Sequence, residues 1–235
     1  MQPEIIQYPT SQWANSSAKY VQSVVSEKSA LKERCTVMLA GGRSAERLMW
    51  AWAELPEFEQ MHNIDFFFGD ERCVPPEHEE SNFGLAMRTL FRFGIPKGCD
   101  VHRIEAESSD KDLAAGRYAE LLPDHIDLLL LGVGEDGHIA SLFPGSAALH
   151  ETRKVVAVTG PKPPVERMTV TPVVIGQSES IVVLASGEGK RAPLRDVLRS
   201  SPSVEQCPAR LVQHATWLID FLSDLHQKPN KNEKY

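Results

Sequence analysis

Two hydrophobic patterns alternate along the chain. Short runs that are apolar with little polar alternation occupy 36–40, 63–68 and 128–131, as expected of strands covered on both faces in a parallel sheet. Two more strands are predicted at 154–158 and 181–185, and a short one at 101–104. Between them, apolar residues recur at helical spacing. Residues 10–34 place Trp13, Tyr20, Val21, Val24, Val25 and Leu31 on one face. Further helices are predicted over 45–54 with Ser44 as the cap, 82–91, 110–122 with Asp110 as the cap, and 189–198, where Pro193 lies near enough the start to be tolerated. Residues 216–220 fit either strand or helix, and the polar tail 227–235 is expected to fray. The rhythm of strand and helix, without repeats or long linkers, predicts an α/β, Rossmann-like, mostly parallel sheet with helices on both faces.

Three of these strands run into polar, glycine-containing loops: Gly41 to Ser44, Gly69 to Arg72 and Gly132 to His138. In a parallel sheet such loops gather at the carboxyl edge, where ligands bind. The third is the most informative. Asp127-Leu-Leu-Leu-Leu-Gly-Val-Gly-Glu-Asp-Gly-His138 carries a buried strand into a glycine turn that presents a histidine, the side chain able to act as a base at neutral pH. Gly132-Val-Gly-Glu-Asp-Gly137 also matches the dinucleotide fingerprint G-x-G-x-x-G. That fingerprint needs a long helix and then an acid closing the next strand. Pro144 stops any helix within two turns, and no acid closes 154–158, so a nicotinamide or flavin site is rejected.

Composition narrows the class. With 235 residues and 42% apolar content, one domain over 1–235 is expected. A net charge of −7 argues against a nucleic-acid binder, although a few arginines can still build a positive pocket for an anionic small molecule. Cys35, Cys73, Cys99 and Cys207 show no C-x-x-C spacing, which favours free thiols in a reducing compartment. No secretory signal or membrane span is read, so a cytoplasmic protein is expected. None of the histidines has metal-ligand spacing to another, so neither metal nor organic cofactor is expected.

Each candidate motif has a bland alternative. Gly41-Gly42-Arg43-Ser44 is either a phosphate seat at a helix N-terminus or a tight turn with a serine cap. Asp70-Glu71-Arg72 is either a solvated strand end or the place of an arginine clamp. Lys190, after Gly187-Glu-Gly, and Arg167, heading an alternating strand, face either ligand or water. His138 opens a short helical segment in this reading, whose dipole would keep the ring neutral, and Asp136 either orients the ring, contacts substrate hydroxyls or caps the turn.

Together these motifs resemble the 6-phosphogluconolactonase family. The pieces stand in family order: Gly41-Gly42-x-Ser44, Phe67-Phe-Gly-Asp-Glu-Arg-Cys-Val-Pro75, Ser81-Asn82, Leu131-Gly-x-Gly-x-Asp-Gly-His-x-Ala-Ser-Leu-Phe-Pro-Gly145, Arg167-Met-Thr-Val and Gly187-x-Gly-Lys190. They span roughly 36–198. The related glucosamine-6-phosphate deaminases continue the histidine motif with Phe-Asn-Glu-Pro and follow Asp-Glu with Tyr, whereas this chain has Ser141-Leu-Phe-Pro144 and Arg72. One departure is Gly41-Gly-Arg-Ser-Ala45, where the family commonly reads Gly-Gly-Ser-Thr-Pro. The resemblance implies hydrolysis of 6-phospho-D-glucono-1,5-lactone, with His138 and Asp136 catalytic. It implies that Gly41, Gly42, Ser44, Asp70, Arg72, Arg167 and Lys190 hold the phosphorylated sugar. The expected partner is that small molecule alone, with no nucleic acid or membrane, and the protein is expected to be a monomer or small homo-oligomer.

Overall fold

The structure, a computed structural model, describes residues 2–199 and 202–221. In chain order the elements are β1 (Glu4–Gln7), α1 (Trp13–Ser29), β2 (Cys35–Leu39), α2 (Gly42–Ala53), α3 (Pro56–Glu59), β3 (Ile64–Phe68), β4 (Asp70–Arg72), α4 (Asn82–Arg88), β5 (Asp100–Val101) and α5 (Lys111–Leu121). There follow β6 (Ile126–Gly132), β7 (Val155–Thr159), β8 (Glu166–Val170), α6 (Pro172–Gly176), β9 (Ser178–Ala185), α7 (Arg191–Leu198) and β10 (Thr216–Ile219).

Seven strands form one sheet in the order β1-β10-β9-β6-β2-β3-β5, and every pairing in it is parallel. From β2 the chain moves outward through β3 to β5, then returns to the other side of β2 at β6 and continues through β9 to β10. The direction reverses between β2 and β6. At such a switch point the loops leaving adjacent strands diverge to opposite faces and open a crevice. Gly41 and Gly132 flank it; a Cβ on Gly132 would lie 3.5 Å from the Gly41 carbonyl oxygen.

The two faces of β3 show how the helices divide. Phe66 meets Trp52 of α2, and Phe68 meets Phe83 of α4, whereas Phe67 points the other way to Tyr118 of α5. This is the period of two that places alternate residues on opposite faces. The Tyr118 hydroxyl accepts from the Phe68 N–H (2.7 Å) and donates to the Phe68 carbonyl (2.9 Å), satisfying the tip of β3 where no neighbouring strand does. Between strands of the sheet, Asp127 accepts from the Thr36 N–H (2.7 Å) and hydroxyl (3.0 Å) and pairs with Lys32, tying β6 to β2 at the end opposite the crevice.

Several expectations need correction. Residues 70–72 are a strand, not a strand end: β4 pairs antiparallel with β8, and β8 with β7, in a second three-stranded sheet. The run at 154–158 therefore belongs outside the parallel sheet. The edge strand β1 was not expected, and 216–219 is a strand, with Trp217 fully buried between β1 and β9. The helix expected over 10–34 forms over Trp13–Ser29, and that expected over 189–198 begins as a 3-10 turn, Glu188–Lys190, before α7. The tail 227–235 lies outside the described residues.

Candidate active site

Four loops at the carboxyl ends of β2, β3, β6 and β9 line one cleft of about 950 Å3. Of the residues singled out from the sequence, Gly41, Gly42, Ser44, Asp70, Arg72, His138, Arg167 and Lys190 all border it. Asp136 stands behind the histidine ring instead of in the cleft wall.

The His138 loop is a closed turn. Gly137 N–H donates to the Gly134 carbonyl (3.1 Å), and Gly134 N–H donates to the His138 carbonyl (2.8 Å). No helix follows His138, so the dipole expected to act on the ring is absent. Its orientation comes from Asp136. One carboxylate oxygen, Oδ1, lies 2.6 Å from His138 Nδ1 and also accepts from the His138 backbone N–H at 3.2 Å. Burial pushes the Asp136 carboxyl up, but the His138 contacts outweigh it and hold it at about 2. An ionised carboxylate accepts only, so Nδ1 is the protonated nitrogen and Nε2 is left as the proton acceptor. Gly134 is required by this pair. A Cβ there would sit 2.0 Å from Nδ1 and 2.4 Å from Asp136 Oδ1. The Phe143 ring packs against the imidazole from another side, with centroids 4.8 Å apart.

At the end of β2, the helix starts earlier than expected. Gly41 caps α2, and Gly42, at φ +85°, makes the turn that a side chain would resist. Ser44 thus falls in the first turn and is not the cap; its hydroxyl accepts from the Ser186 N–H at 3.4 Å. The first-turn N–H groups of α2 point to the cleft end with the positive dipole, suited to an oxyanion. Arg43 is exposed at the rim.

Two groups of cations border the cleft. Arg72 and Arg167 are register partners on β4 and β8, so their side chains leave the second sheet on one face. Burial, and then the Arg72 charge, lower the Arg167 guanidinium from its usual value. Lys190 is lowered by burial, with Arg43 and Lys162 adding to the effect and Glu135 opposing it. Half-buried cations held near one another make this part of the cleft suited to an anionic group.

Asp70 borders the cleft and is also engaged within the protein. Its Oδ2 accepts from the Ser141 hydroxyl (2.6 Å), and its Oδ1 accepts from Asn82 Nδ2 (3.2 Å). Both oxygens are engaged, and the carboxylate clasps the histidine loop to the start of α4. Glu71, which the sequence did not single out, anchors that start. It accepts from the backbone N–H groups of Arg72, Asn82 and Phe83 and from the Ser81 hydroxyl. Burial raises the Glu71 carboxyl despite these donors. Asn82 in turn fits only because Gly41 has no side chain; a Cβ would fall 1.9 Å from Asn82 Oδ1. The Asp-Glu at 70–71 and the Ser-Asn at 81–82 were the available signal, but nothing in it showed which acid would take which partners.

The family described as glucosamine-6-phosphate isomerases/6-phosphogluconolactonase matches residues 9–219. Rattus norvegicus 6-phosphogluconolactonase is 40% identical over 168 residues, 65% of this chain and 64% of the rat protein; the chain thus spans under two thirds of that relative's length. The Mycobacterium tuberculosis 6-phosphogluconolactonase is 32% identical over 224 residues, 88% of this chain and 90% of that protein. The crystal structure of Thermotoga maritima 6-phosphogluconolactonase superposes with a TM-score of 0.80 at 26% identity, covering 93% of this chain and 99% of that one. Fold and sequence agree, and the chain belongs to the glucosamine-6-phosphate isomerase/6-phosphogluconolactonase family.

Proposed function

We propose that the protein is an enzyme hydrolysing 6-phospho-D-glucono-1,5-lactone to 6-phosphogluconate, in the oxidative pentose phosphate pathway and in the cytoplasm. The observation carrying this reading is the Asp136–His138 pair at the edge of a cleft bordered by cations. A lactone is an ester whose carbonyl needs an activated water. Nε2 of His138 takes a proton from that water as its oxygen attacks the carbonyl carbon. The resulting imidazolium is stabilised by Asp136 through Nδ1–H. When the tetrahedral centre collapses, the ring C–O bond breaks and His138 returns the proton to the departing ring oxygen. The product is an open hydroxy acid, ionised at neutral pH.

The phosphate of the substrate binds among the first-turn N–H groups of α2, Ser44, Arg72, Arg167 and Lys190. Fixing this remote group orients the carbonyl for attack and converts binding into positional advantage. The test is turnover of freshly generated 6-phosphogluconolactone, corrected for spontaneous opening. Acceleration by the protein, with no ammonia released from glucosamine 6-phosphate, is expected; deaminase activity without lactonase activity would reject the reading.

A further inference from the structure

Arg72 is only partly satisfied. Its Nη1 donates to the backbone carbonyl of Glu80 at 2.5 Å and to the Glu80 carboxylate at 3.1 Å, whereas its Nε is buried with no partner. The guanidinium side chain is 18% exposed and the Glu80 side chain 48%, so the arginine is fixed in the cleft wall while its carboxylate partner borders water. Glu80 lies in the acidic loop Glu77-His-Glu-Glu80, which precedes α4. Its carboxylate borders the same cleft as Arg72 and Arg167, contacts the first and acts through its charge on the second.

We propose that Glu80 is a resident counter-ion that sets the affinity of this cleft for anions: it occupies Arg72 when the cleft is empty and gives way to a substrate oxyanion. A half-exposed carboxylate loses little on swinging into water, because such pairs contribute little to begin with. A phosphate spanning two arginines forms more and stronger charge-assisted bonds than one carboxylate on one nitrogen. The consequence for turnover rests on the lactonase reading. Opening the lactone creates a carboxylate, so the product carries one more negative charge than the substrate. A cleft with both arginines free would retain that product, and the return of Glu80 to Arg72 favours its release.

The experiment uses Glu80→Gln and Glu80→Ala in the full chain. Glutamine keeps an oxygen able to accept from Nη1 and removes only the charge. Calorimetric titration with inorganic phosphate at low salt should show both variants binding about two- to fivefold tighter than wild type. The difference should shrink as salt rises. Inhibition by 6-phosphogluconate should tighten at least as much. If Glu80 were instead a brace for Arg72, Glu80→Gln would bind phosphate as wild type does and Glu80→Ala more weakly; that pattern, or no change in either, overturns the proposal. The phosphate arm requires no catalysis. Tighter phosphate binding in a protein that does not open the lactone would retain the counter-ion and sink the catalytic reading alone.

Discussion

Replacing Asp136 by Asn isolates what its charge does for His138. A carboxyl held near 2 instead of near 4 is favoured as the anion by about 2.5 kcal/mol, at 1.36 kcal/mol for each tenfold. The Asp136 side chain is 44% exposed, so solvent screening reduces this to about 1 kcal/mol. A second loss would follow if the new carboxamide turned its NH2 toward Nδ1, since the ring would then adopt the wrong tautomer; in a serine protease that error costs about 10,000-fold. Here the backbone opposes it. The same Oδ1 that meets Nδ1 also accepts from the His138 N–H. An inverted amide would set its NH2 against the His138 N–H even after the ring had switched tautomer, whereas the upright amide serves both contacts. The tautomer should therefore survive, and only the charge is lost. The expected fall in kcat is about five- to tenfold, with a ceiling near sixtyfold if screening were absent. Turnover of fresh lactone measures the rate, and nitrogen NMR of the ring reports which nitrogen is protonated. A loss of thousands with Nδ1 deprotonated would refute the backbone argument, and an unchanged rate would remove Asp136 from catalysis.

Three other outcomes are expected. Tyr118→Phe leaves the buried Phe68 N–H without a partner and should lower unfolding free energy by about 1–3 kcal/mol in denaturant titration, with the fold retained; no loss would mean another group satisfies the strand tip. Arg72→Ala should raise KM well beyond Arg43→Ser, which should stay within about threefold of wild type because Arg43 is exposed at the rim; equal effects would give Arg43 an inward role. Exhaustive chelation should leave the rate unchanged, since among the described residues no cluster of His, Cys, Asp and Glu is placed to hold a metal, and activity restored by added zinc or manganese would contradict this.

The parallel sheet was legible because its central strands are buried on both faces. The runs at β2, β3 and β6 have no solvent side to encode, so hydrophobicity alone marks them, and the glycines that end them mark where the chain must turn at a ligand. The second sheet was hidden for the opposite reason. Asp70-Glu-Arg72 is three charged or polar positions, and what makes it a strand is its pairing with Arg167 to Thr169, nearly a hundred residues away. Its side chains are spent on the cleft and on the start of α4, so no apolar alternation remains to be read. Asp110 caps α5 as its residue type implies, but the start of α2 was misplaced for a local reason. Ser44 is a sound cap by residue type, but Gly41-Gly42 can turn earlier, and the backbone takes the earlier start.

The site shows the same division between residue type and assignment. His138 and Asp136 were legible because a glycine turn after a buried strand leaves two polar side chains two residues apart, close enough to bond. The source of the histidine's orientation was not. Three roles stood open for Asp136, and the geometry selects orientation of the ring, whereas the helix dipole expected to keep that ring neutral has no helix to supply it. Asp70 and Glu80 exchange the roles their positions suggest. Asp70 lies two residues before Arg72, on the same side of β4 by period-two alternation, and looks like its partner, yet its carboxylate is taken by the Ser141 hydroxyl and the Asn82 amide. The acid that meets Arg72 comes from a loop eight residues on, brought back by the chain's return toward α4. An acid-rich loop before a helix is ordinarily solvated surface. Only the unpartnered Nε beside it makes Glu80 a group whose removal should change what the cleft binds.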